Sequence, residues 1–193
     1  APLPTLSPLP PQPVNLVNPA LGQDRLSLVW DNPWMPIRES QNLQRYWQGD
    51  LAREALFWHV QRVLSENKAQ GVQVGFDCRV LYQRAQCAIN IDSDNVALSS
   101  NLDLIAKEMA NVRDNGLTQQ EFDTLMAQKN TELNKLFATY ARTDTDVLMS
   151  QRLRSQQNAV VDIAPEQYQK LRQAFLSGLT LDMLNQELRQ QLT

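Results

Sequence analysis

The 193-residue chain has one histidine, two cysteines and six glycines. Each shortage removes a class of chemistry. With so little glycine, phosphate-cradling loops are not expected, and no P-loop or dinucleotide fingerprint is present. Cys78 and Cys87 are too few for a disulfide scaffold or a structural zinc site. No apolar run approaches the roughly 20 residues that a membrane span needs. An excess of one charge is also missing. Lys and Arg total 18 against 21 Asp and Glu, for a net charge of −3 and a pI near 5.2. That balance creates no field to draw in a nucleic-acid backbone or an anionic membrane.

The lone histidine, His59, sits inside a long helical pattern. A helical zinc ligand wants a second ligand one turn away, and those positions are Ala55 and Val63. Glu54 and Glu66 lie off its face, so a packed or surface histidine is expected. A cysteine nucleophile would need His59 as its base, and nothing in the sequence joins them. Inert buried thiols or a cross-strand disulfide fit Cys78 and Cys87 better. There is no Gly-x-Ser-x-Gly elbow. The carboxylate pairs Asp92/Asp94 and Asp144/Asp146 fall at element ends, where Asp commonly serves turns and caps. Arg142, Arg152, Arg154 and Arg172 are interleaved with acids and lack aromatic stacking partners, which argues against nucleic acid.

What is present is a clear order of elements. Residues 1–13 hold six prolines and no charge, an extended, stiff linker. A linker before a folded domain suggests a piece of a longer protein. Residues 25–31 alternate as a strand, and prolines 33 and 36 end it. A helix follows over 40–68, with apolar residues on a face too wide for one partner. The runs 72–81 and 85–92 alternate with period two and are close enough to form a hairpin. After them comes a helix from Leu98 to Asn115-Gly116. Thr118 and Glu121 form a capping box for a six-turn helix marked by Phe122, Leu125, Leu133, Leu136 and Phe137. A shorter helix is expected over 144–157. Pro165 opens another at a first-turn position, and Thr180 caps the last. Trp30, Trp34, Trp47 and Trp58 are expected to pack the first strand against the long helix. Segregated strands and helices give an α+β domain over 14–193, an antiparallel sheet with helices on one face.

Read in order, these residues resemble the non-catalytic domain of the pitrilysin, or insulinase, superfamily of zinc peptidases. The likeness rests on the proline-rich linker, Trp30-Asp31-Asn32-Pro33, Leu51-Ala52-Arg53-Glu54-Ala55-Leu56 and the strand pair from Phe76 to Ile91. It continues through Glu108-Met109, Asn115-Gly116-Leu117-Thr118, Pro165-Glu166-Gln167-Tyr168 and Leu179-Thr180-Leu181-Asp182. The resemblance implies a metallohydrolase-type α+β fold like that of the mitochondrial processing peptidases. The family's catalytic domain carries His-x-x-Glu-His, whereas His59 here is followed by Val60-Gln61-Arg62-Val63. The implied role is therefore an accessory, catalytically inactive domain. It would help to form a peptide-binding chamber beside a zinc-bearing domain or subunit of the same protein. No cofactor is expected in this chain, and the zinc belongs to that partner.

Arg79, Tyr82 and Arg84 lie where some family members hold the peptide, so they are the candidate substrate contacts. The 85–92 strand is expected to be a sheet edge open to an extended peptide, unless another strand or the proline-rich segment covers it. Exported bacterial relatives point to the periplasm. Two rival readings remain: an interaction scaffold of the same fold with no active partner, and an independent hydrolase using Cys87 or a carboxylate pair.

Overall fold

A computed structural model describes residues 12–20, 23–33, 40–81, 84–143 and 164–193. Four strands, β1 (Gln12–Ala20), β2 (Gln23–Pro33), β3 (Val72–Leu81) and β4 (Arg84–Asp94), form one antiparallel sheet in the order β1-β2-β4-β3. The helices are α1 (Ser40–Glu66), α2 (Leu98–Asn115), α3 (Gln119–Thr143), α4 (Pro165–Gly178) and α5 (Leu181–Leu192). The α+β expectation holds. The helix expected over 144–157 lies outside the described residues, as does the proline-rich stretch up to residue 11.

Period-two alternation builds the sheet. In register across β2, β4 and β3 stand Leu26–Ile91–Val74, Leu28–Ile89–Phe76 and Trp30–Cys87–Cys78. The members of these rows on β2 and β4 are buried, and those on β3 pack half-buried against the same core. The opposite face is polar: Arg25 meets Asp92 at 2.7 Å, and Ser27 donates to Asn90 at 2.7 Å. Among the described residues, helices therefore cover the apolar side, where α1 packs against α2, α5 and β3. Multiple partners explain the broad burial of α1, which includes Leu43, Trp47, Leu51, Ala52, Leu56 and Val60.

The helix ends follow their sequence signals. Thr118 Oγ1 accepts from the Glu121 amide at 3.1 Å, and Glu121 Oε1 accepts from the Thr118 amide at 3.1 Å, so the capping box forms as written. Thr180 Oγ1 accepts from the Met183 amide. Gly116 ends α2 at φ +77°, and a Cβ there would meet the Asn185 side chain at 2.5 Å. Asn185 uses that proximity to accept a hydrogen bond from the Leu117 amide at 2.9 Å.

Two expectations are overturned. The sequence pattern showed no strand before residue 25, yet β1 pairs with β2 through a register that slips between Gln12 and Asn15 and again between Val17 and Ala20. The 85–92 run was expected to be an edge; β4 instead lies between β2 and β3, hydrogen-bonded on both sides. Among the described residues the sheet edges are β1 and β3.

The tryptophans also divide differently. Trp30 and Trp47 are both 1% exposed. The Trp47 ring packs on α4, edge-on to Tyr168 and tilted against Phe175, each at 5.5 Å. Trp30 donates to the Gln191 carbonyl of α5 at 3.4 Å. Trp58 is 43% exposed, and Trp34 lies outside the described residues.

Candidate functional site

The expected substrate contacts converge on β3 only in part. Arg79 is exposed on β3, opposite Gln86 of β4. Tyr82 lies outside the described residues; Arg84 begins β4 opposite Leu81, and its side chain is likewise outside them. Among the described residues, the structure thus places Arg79 on an edge strand of the sheet.

His59 is buried, and both of its ring nitrogens face carboxylates. Nδ1 lies 2.6 Å from Glu121 Oε2 and Nε2 lies 3.1 Å from Glu108 Oε2. Three helices make this arrangement: α1 brings the ring, α2 brings Glu108, and the capping box fixes Glu121 at the start of α3. Arg62 adds a contact to Glu121 at 3.4 Å. Burial works to lower the His59 pKa, but the hydrogen bonds to Glu121 and Glu108 outweigh it and the net shift is upward. Burial works to raise the Glu121 pKa, and the bonds from His59 and the Thr118 amide reverse this and bring it down to about 2. Both nitrogens are engaged, so His59 does not fit a zinc site.

These shifts set a pH window. The raised His59 pKa contributes stability that is complete below about pH 6.5, its unfolded value, and is lost as pH rises through the folded value. The lowered Glu121 pKa contributes stability that is complete above its ordinary 4.5 and is lost as pH falls toward about 2. Both contributions coexist between about pH 4.5 and 6.5. Glu121→Gln is therefore expected to destabilise the chain most within that window. The loss should exceed the roughly 1 kcal/mol of an N-cap alone, measured by urea unfolding at several pH values. A pH-independent loss would show that the His59–Glu121 pair contributes nothing beyond the cap.

A second polar cluster lies between α1, α3, α4 and β3, around a cavity of about 580 Å³. Lys129 is only 8% exposed and bonds to Glu54 and, at 3.1 Å, to Glu132. Arg172 stacks over the Trp47 ring at 5.0 Å. Burial pushes the Asp50 carboxyl up and draws the Arg53 guanidinium down. Burial likewise raises Tyr46, to about 12. No sequence motif announced this cluster, because its members come from distant segments.

Cys78 and Cys87 form a disulfide across β3 and β4. Cys87 is thus no free nucleophile, and Asp92 is engaged by Arg25 through two hydrogen bonds. The independent-hydrolase reading loses both groups, and its other pair, Asp144/Asp146, lies outside the described residues.

Residues 2–129 match the family described as Peptidase M16 inactive domain, and the chain belongs to that family. Protein YhjJ of Salmonella typhimurium is 66% identical over all 193 residues, which cover 39% of that protein; Protein YhjJ of Escherichia coli is 65% identical over the same span. The chain thus spans well under half the length of these curated relatives. Among solved structures, a "predicted insulinase family protease" from Yersinia pestis aligns over 97% of this chain and 41% of its own, with 65% identity and a TM-score of 0.81. The first half of the periplasmic protease PqqL from Escherichia coli shares the fold at 14% identity, with a TM-score of 0.66, over 85% of this chain and 36% of its own. The chain is an inactive-type domain of a peptidase family, in the α+β architecture of that family.

Proposed function

We propose that this domain serves as the non-catalytic wall of a peptide-binding chamber, beside a zinc-bearing domain of the same protein. The observation that carries the reading is the match of residues 2–129 to an inactive domain of a peptidase family. The share of the relatives' length beyond this chain, 61% of YhjJ (100 − 39), leaves room for such a domain. The lone histidine supports the division of labour, because Glu108 and Glu121 already occupy both its ring nitrogens. A zinc peptidase centre would need a set of ligands around His59 that the described residues do not assemble.

The peptide contact in this reading moves from β4 to β3. An extended peptide bonds to the free backbone groups of an edge strand, and Arg79 stands exposed on that strand as a donor for a peptide carbonyl or carboxylate. Tyr82 and Arg84, which follow β3 in sequence, are proposed to add to this contact. The compartment proposed is the periplasm, supported by the Cys78–Cys87 disulfide, since disulfides persist in oxidising compartments.

The test is peptide cleavage by the full-length protein carrying Arg79→Ala with Arg84→Ala. Losing one charge-assisted hydrogen bond, worth about 1.5–3 kcal/mol, should raise KM about tenfold or more, while kcat, fold and zinc content stay unchanged. An unaltered KM would remove these arginines from the peptide site.

A further inference from the structure

The Cys78–Cys87 disulfide has a neighbour that a purely structural crosslink does not require. One carboxylate oxygen of Asp50 and the two sulfurs all lie within 4.8 Å of one another. Asp50 comes from the middle of α1, whereas the cysteines stand on adjacent strands, so tertiary packing alone creates the group. Asp50 and Cys78 line the 580 Å³ cavity; Cys87, 6% exposed on the central strand, does not. The two cysteines are therefore inequivalent: the half-buried Cys78 borders the cavity and the buried Cys87 does not.

We propose that this disulfide is a site of thiol–disulfide exchange, opened at Cys78 by a small thiol entering the cavity, with Asp50 as the proton donor to Cys87. The thiolate is the attacking form of a thiol, and the cavity wall that it would meet carries Lys129 and Arg172 among the carboxylates of Glu54, Asp77 and Glu132. A volume of this size accommodates a small molecule.

The chemistry balances with the thiol as reductant. The incoming thiolate attacks Cys78 Sγ, forming a mixed disulfide and breaking the bond between Cys78 Sγ and Cys87 Sγ. The electron pair of that bond leaves on Cys87 Sγ, which takes the Asp50 carboxyl proton. A second thiolate then attacks the reagent sulfur of the mixed disulfide and releases Cys78 as a thiolate. The two protons shed by the reagent thiols return to Cys78 and Asp50. In sum, two small thiols are oxidised to one disulfide, and the protein disulfide is reduced to two thiols.

Burial favours the protonated carboxyl of Asp50, which is the form a proton donor needs. The charged groups around it divide by element. On α1, Arg53 opposes that shift and Glu54 reinforces it; Arg172 of α4 and Lys129 of α3 both oppose it. The tyrosines nearby, Tyr46 and Tyr168, are both raised by burial and stay neutral at ordinary pH. Asp77 and Glu132 line the same cavity from β3 and α3.

The experiment treats the full-length protein, native and Asp50→Asn, with 2-mercaptoethanol across pH 5–9. Acid quenching, alkylation and mass spectrometry then locate the adduct and time the opening. The expected result is a first adduct on Cys78, formed while near-ultraviolet circular dichroism stays native. Asp50→Asn should open at least about tenfold more slowly near neutrality, the low side of general-acid catalysis, and should lose the native pH inflection. Equal rates and pH profiles in the two proteins would overturn the proposal, as would a first adduct on Cys87. Opening that occurs only after the fold is lost would overturn it on the native protein alone, whether or not Asp50→Asn folds.

Discussion

Replacing Trp47 with alanine is expected to destabilise the domain by about 3–5 kcal/mol, the range for a fully buried large aromatic. Trp47 is 1% exposed and stands where α1 meets α4. Its ring holds Tyr168 edge-on and Phe175 at a tilt, and the Arg172 guanidinium lies 5.0 Å from its centroid. Alanine there removes the apolar burial, both aromatic contacts and the cation–π contact, and leaves a cavity that rigid helices cannot close. Phe137 stacks on Tyr168 at 6.2 Å, so the vacancy also loosens α3. Urea unfolding of native and variant protein measures the loss. A change below about 0.5 kcal/mol, typical of surface substitutions, would show that this aromatic cluster does not hold α1 to α4.

Leu51→Ala is expected to cost about 2–5 kcal/mol, and Leu136→Ala a value in the same range. Leu51 is 1% exposed on α1, and Leu136 is 7% exposed on α3. Leu51, almost fully buried in the core cluster, does not border the polar cavity, and close packing leaves it little room to relax. Leu136 instead lines the wall of the polar cavity, where one side of the side chain has room to collapse. The larger loss is therefore expected at Leu51. Thermal or urea unfolding of both variants checks the order, and near-neutral values at both sites would mean that the core has been misplaced.

Much of this fold was legible because local signals and tertiary packing agree. The alternation in 72–81 and 85–92 gave a hairpin, and the structure aligns Cys78 with Cys87 across it. Thr118, Glu121, Pro165 and Thr180 marked helix starts whose capping needs only neighbours in sequence. β1 was missed because Pro13 and Pro19 argue against a strand, and its pairing slips register twice. Missing β1 had little effect on the class or on the site, because it is β2 that covers β4. Strand order is non-local: β2 returns to lie beside β4 across 50 residues of intervening chain (84 − 33 − 1), and no periodicity encodes that. The edge was therefore assigned to the wrong member of the hairpin.

The polar clusters were illegible for a related reason. His59 meets Glu108 and Glu121 at separations of 49 and 62 residues, and Lys129 meets Glu54 at 75. One signal was available for the first: His59 lies beside Leu56, Val60 and Val63 on a buried helical face, where an ionisable ring needs partners. The capping box had already placed Glu121 at a fixed point in space, and its second role emerges only when α1 packs against α3.

Central to the proposed function is the separation of this inactive-type domain from the zinc centre. The most direct test is zinc analysis of the full-length protein, untagged, with and without His59→Ala. The expected result is about one zinc per chain in both, since the proposed function puts the metal on another domain and His59 is held by two glutamates. Zinc that falls with His59→Ala would place the metal on this domain and contradict the account.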